Sequence, residues 1–157
     1  QFLISCSDEQ YLPLIRDITR EVTIPCKIIQ GNVHEIIKAS SLCIAGAGTI
    51  TLQIAYYLKP MIVLYKISPF AYFIARPFLT TPYIGLVNAI AQKTLVPELL
   101  MLRKNYRWLA REAVQFLRND QKRQTCVNEL DFLIDTIGRP GASEHAAEEI
   151  LKLIWRA

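Results

Sequence analysis

Gly46-Ala47-Gly48-Thr49 is the part of this 157-residue chain whose residue types and spacing best suit chemistry. It lies between an apolar run, Leu42-Cys43-Ile44-Ala45, and a segment with helical patterning. A second apolar run, Met61-Ile62-Val63-Leu64-Tyr65, follows Lys59-Pro60. Small residues let a backbone approach a ligand closely, and a helix start offers free N–H groups and a positive dipole end. A phosphate or diphosphate suits such a turn. No Lys follows the glycines as in a P-loop, and the third glycine of a dinucleotide fingerprint is absent. Taken alone, the turn is a ligand cradle or a plain strand–helix connection. Gln53, four residues beyond Thr49, falls on the same helix face, where its amide could bond sugar hydroxyls or simply meet water.

Ligands of open parallel sheets gather at the carboxyl ends of the strands. Three segments qualify: Gly31-Asn32 with His34, the glycine turn, and Tyr65-Lys66-Ile67-Ser68. His34 reads as a helix-entry or stacking residue rather than a base, and His145 as solvated. No carboxylate pair flanks the turn and no nucleophile–base pair is readable, so the chain carries no complete catalytic set. Cys6, Cys26, Cys43 and Cys126 lack CxxC spacing and fall mostly in strand contexts. They read as buried, reduced thiols of a cytosolic protein, and no metal site or cofactor is expected.

The elements that must position these residues alternate. Strand patterns cover Phe2–Cys6, Ile24–Gln30, Leu42–Ala45 and Met61–Tyr65. Helical patterns open at Asp8-Glu9 and cover Val33–Ala39 and Thr49–Leu58. This is α/β: a Rossmann-like parallel sheet with helices on both faces. Beyond it, Ser68-Pro69 starts a helix through Phe70–Leu79, Tyr83–Val87 reads as a short strand, and Pro97-Glu98 reads as a helix start. Helices follow over Leu102–Asn119 and Asp120–Ile137; after the linker Gly138–Gly141, Ser143 caps a last helix to Trp155. The domains read as 1–137 and, as linker and final helix, 138–157. Arg103, Arg107, Arg111 and Arg118 flank the apolar face of the Leu102–Asn119 helix. That suits a membrane surface or a core-packed helix with a solvated edge, core packing being favoured. The aromatic run Phe70-Ala71-Tyr72-Phe73 with Arg76 is open in the same way, with core packing again favoured.

Net charge is +4, compatible with anionic ligands or an anionic membrane but diagnostic of neither. The most apolar stretch, 60–79, is interrupted by Lys66, Pro69, Arg76 and Pro77, so it does not span a bilayer as a clean helix. The start, Gln1-Phe2-Leu3-Ile4, is a strand pattern without Met, expected of a piece cut from a longer protein.

From Ala45 to Leu100 the chain resembles the lipid-A-disaccharide synthase family. The resemblance runs through AGAGTITLQIAYYLKPMIVLYKISPFAYFIARPFLTTPYIGLVNAIAQKTLVPELL, in order: the glycine turn, Lys59-Pro60-Met61, Tyr65-Lys66, Ser68-Pro69 before an aromatic segment, and Val96-Pro97-Glu98-Leu99-Leu100. It implies the C-terminal, donor-binding half of a GT-B fold plus C-terminal helices that pack back on the other half. The implied activity is that of an inverting glycosyltransferase joining UDP-2,3-diacylglucosamine to 2,3-diacylglucosamine 1-phosphate and releasing UDP. It needs no metal or cofactor, and nucleic acid is not among its partners. The partners are the UDP-diacylglucosamine donor, the acylated glucosamine phosphate acceptor and the inner face of the cytoplasmic membrane, where the enzyme is peripheral. A homodimer that exchanges C-terminal segments also fits.

Carried over, Gly46, Ala47, Gly48 and Thr49 meet the donor diphosphate, Gln53 stands where the family has Glu for the ribose, and Tyr65 and Asn88 complete the UDP-sugar site. Val87, Gln92-Lys93 and Met101 depart from the family's Pro, Gly-Arg and Gln. The proposed catalytic base belongs to the other half, so this part alone is expected to be inactive. The alternatives are another GT-B enzyme acting on UDP-GlcNAc, a glycosyltransferase or 2-epimerase, and a non-catalytic nucleotide-sugar-binding subunit.

Overall fold

The computed structural model describes residues 1–75, 82–101, 106–138 and 141–155. Strand β1 (Phe2–Cys6) leads through a short 3-10 turn into helix α1 (Leu12–Arg20), and β2 (Cys26–Gln30) into α2 (Val33–Ala39). Then come β3 (Cys43–Gly46), α3 (Ile50–Tyr56), β4 (Met61–Lys66), α4 (Pro69–Ala75), α5 (Leu86–Ala91) and β5 (Glu98–Met101). Three helices close the chain: α6 (Tyr106–Arg118), α7 (Asp120–Ile137) and α8 (Ala142–Ile154). The α/β class and the all-parallel pairing hold, as expected of a Rossmann-like half. The strands form two ladders, however: β1 with β2, and β3-β4-β5.

The core belongs to the second ladder. β4 is paired on both edges, and Met61, Ile62 and Val63 are buried, as a central parallel strand with cover on both faces requires. Ile54 and Ala55 of α3, Val87 of α5, Phe116 of α6 and Cys126, Leu130 and Leu133 of α7 pack with them. In β1 only Cys6 is buried, so the first ladder contributes little to that core.

Three boundaries correct the reading from sequence. Tyr83–Val87 is not a strand: α5 starts at Leu86, because the Glu98 carboxylate takes the Ile84 and Gly85 N–H groups, at 2.7 and 3.0 Å, that a ladder would need. Pro97-Glu98 opens a strand rather than a helix; the Pro97 carbonyl accepts the Val63 N–H at 2.9 Å and starts the pairing along the free edge of β4. Ser143 does not cap α8, since that position falls to Gly141 at φ +91°, a left-handed conformation that suits glycine.

On α6, Phe116 is buried and Trp108, Leu109 and Ala113 are half-buried, while Tyr106 and Leu117 stay exposed, so the apolar face is narrower than its pattern. Arg107, Arg111 and Arg118 are exposed; Leu102 and Arg103 lie outside the described residues, as do Arg76 and the linker residues Arg139 and Pro140. Among the described residues no helix is long and apolar enough to cross a membrane.

Candidate functional site

Because β3, β4 and β5 are parallel, their carboxyl ends, Gly46, Lys66 and Met101, share one edge. Gly46 pairs with Leu64, whose carbonyl accepts the Ala47 N–H at 3.0 Å, so the glycine turn opens beside the end of β4. That bond uses up the Ala47 donor. The N–H groups of Gly48, Thr49 and Ile50 take no acceptor among the described residues, as the unpaired donors of a helix start do. Buried Thr51 holds the turn by donating its hydroxyl to the Gly48 carbonyl at 2.7 Å. Thr49, Tyr65 and Lys66 are exposed on this edge, and Gln53 is exposed one turn along α3.

The glycines here are not explained by the protein's own packing. Neither Gly46 nor Gly48 has a positive φ, and a Cβ added to either would meet nothing within 4 Å. At Gly85 the same Cβ would come within 3.1 Å of the Glu98 carboxylate and 3.3 Å of Val63. The space over the turn is therefore open, and a diphosphate could approach the backbone there without displacing any side chain.

Asn88 is elsewhere and otherwise engaged. It is 0% exposed, with Nδ2 donating to the Val96 carbonyl at 2.8 Å and to Glu98 at 2.7 Å. Its Oδ1 accepts the Leu95 and Val96 N–H groups at 2.8 and 3.0 Å. All its hydrogen-bonding capacity ties α5 to the amino end of β5, which corrects the expectation of a direct sugar contact. Glu98, its partner, was missed in the sequence; a lone acid inside the apolar run Leu95–Met101 was the signal.

His34 meets Tyr57, at the end of α3 remote from the turn, with ring centroids 5.8 Å apart and edge-on, in keeping with a stacking role. A hollow of ≈ 680 Å³ lies away from the turn, at the amino end of β5 between Val96, Trp108, Phe116 and α7. Its lysines are paired, Lys93 with Glu129 and Lys122 with Glu112. Burial pushes the Cys126 thiol on its wall up to about 11, so it is no nucleophile near neutral pH. No group of three His, Cys, Asp or Glu placed to hold a metal occurs among the described residues.

The family described as Lipid-A-disaccharide synthetase matches residues 1–150, nearly the whole chain. The chain belongs to this family. Lipid-A-disaccharide synthase of Syntrophus aciditrophicus is 37% identical over 131 residues, 83% of this chain and 34% of that protein. The lipid-A-disaccharide synthases of Gloeothece citriformis and Azotobacter vinelandii are 30% and 29% identical over 98% and 100% of this chain, and 41% of each relative. The chain thus spans about two fifths or less of the length of these relatives.

Proposed function

We propose that this chain supplies the UDP-sugar-binding part of a glycosyltransferase that joins UDP-2,3-diacylglucosamine to 2,3-diacylglucosamine 1-phosphate, giving lipid A disaccharide and UDP. Membership of the family over residues 1–150 supports the activity. The single observation that carries the site is the glycine turn at the carboxyl edge, where the space over Gly46 and Gly48 is open and the Gly48, Thr49 and Ile50 N–H groups take no acceptor among the described residues. There Gly48, Thr49 and Ile50 donate to the diphosphate, stabilising the UDP leaving group as the glycosidic bond breaks. Gln53 bonds the ribose hydroxyls and Tyr65 borders the nucleotide. The base that deprotonates the acceptor hydroxyl comes from outside these residues. Both sugar substrates carry acyl chains, so the protein works at the inner face of the cytoplasmic membrane.

Calorimetric titration with UDP tests the site. Gly48→Val fills the space over the turn and is expected to weaken UDP binding at least about tenfold, without loss of thermal stability, because a Cβ at that position meets no protein atom within 4 Å. Absence of UDP binding in the unsubstituted chain, or equal binding by Gly48→Val, would remove the assignment.

A further inference from the structure

Helix α4 is built with care and then left uncovered. The Ser68 hydroxyl accepts the Ala71 N–H at 3.1 Å and the Ser68 carbonyl accepts the Tyr72 N–H at 2.9 Å; Pro69 stands at the first helical position. The helix, Pro-Phe-Ala-Tyr-Phe-Ile-Ala, has no charged residue. Phe70, Phe73 and Ile74, spaced to share one face, are 77%, 80% and 51% exposed. The reading that this aromatic run packs in the core is thereby overturned for Phe70 and Phe73, while Tyr72 is half-buried. Two phenylalanines held in water on a capped helix mark a contact surface rather than leftover core.

The position and charge of α4 narrow the occupant. It leaves the carboxyl end of β4, so it rises from the same edge as the glycine turn. Lys66 at its base and Arg107 near the start of α6 are both exposed. None of α3, α4 and α6 has an acidic residue in its first turn. Exposed aromatic and aliphatic side chains above a cationic edge match an anionic lipid surface, with acyl chains below and phosphates above.

We infer that α4 is the membrane-docking element of this domain: Phe70, Phe73 and Ile74 enter the acyl boundary, and Lys66 and Arg107 meet lipid phosphates. This rests on the reading that the protein works at a lipid surface. It adds which surface turns toward the bilayer, and it presents the open glycine turn to lipid-borne substrate.

Flotation with vesicles of phosphatidylglycerol and phosphatidylethanolamine tests it, with UDP titration run on the same proteins. The double variant Phe70→Ser/Phe73→Ser is expected to lose vesicle binding at least about tenfold, with UDP affinity and the far-UV circular dichroism spectrum unchanged. Lys66→Glu is expected to weaken binding to these anionic vesicles several-fold and to leave binding to pure phosphatidylcholine vesicles unchanged. A double variant that floats like the unsubstituted chain overturns the role of α4 while leaving membrane association standing. Failure of the unsubstituted chain to float overturns membrane association and the inference together. Loss of self-association in the double variant, with flotation unchanged, assigns α4 to a protein contact and overturns the inference.

Discussion

Asn88 shows how a single side chain can carry the signature of a site and serve the scaffold instead. The family resemblance implies a place for it in the UDP-sugar site. Its partners, Leu95, Val96 and Glu98, stand seven to ten residues on and reach it only once β5 has paired with β4. No local pattern reports that closure, so the burial was not legible. The glycine turn was, because its demands are local: small residues directly between a strand and a helix. Removing the Asn88 amide leaves two N–H groups and a carbonyl without partners in a dry site, and it strips one donor from Glu98. Asn88→Ala is therefore expected to cost about 3 kcal/mol or more of folding stability. Urea denaturation read by circular dichroism would show it, and a loss below about 1 kcal/mol would contradict the account.

Elements were legible where periodicity ran long or where a turn punctuated it. The limits of α7, Asp120–Ile137, and of α2, Val33–Ala39, match their patterns, and β3-α3-β4 matches within a residue or two. The segment around α5 and β5 was misread, since each is six residues or fewer and its identity is set by the other's Glu98 and Asn88 rather than by its own sequence. Glycines separate the two kinds of constraint at this scale. Gly138 ends α7 with its N–H on the Ile134 carbonyl at 2.7 Å, and a Cβ there would lie 2.7 Å from that same oxygen. Gly138→Ala must push the last turn aside and is expected to cost about 1–2 kcal/mol. Gly46→Ala meets nothing and should be neutral, or stabilising by up to about 1 kcal/mol through the unfolded chain. Equal melting temperatures for the two variants would show that the protein's own packing does not distinguish these glycines.

Across the whole molecule, stability is concentrated between β3 and α7, and the carboxyl-terminal helix stands outside that balance. α8 has no buried residue, and Ile150, Leu151, Leu153, Ile154 and Trp155 are all exposed, the last at 85%. A helix that buries nothing against its own domain contributes neither stability nor much of the surface that unfolding newly exposes. Ending the chain after Gly138 should therefore leave both the free energy of unfolding, within about 0.5 kcal/mol, and its urea dependence unchanged. The family resemblance implies a cover for this apolar stripe, in the other half of a longer chain or in a second copy. Sedimentation velocity should accordingly show self-association of the full chain that rises with concentration and disappears on truncation. A truncated chain that melts early would place α8 in the fold after all. One that still self-associates would move the contact surface to another part of the molecule, with the uncovered face of α4 the first to test.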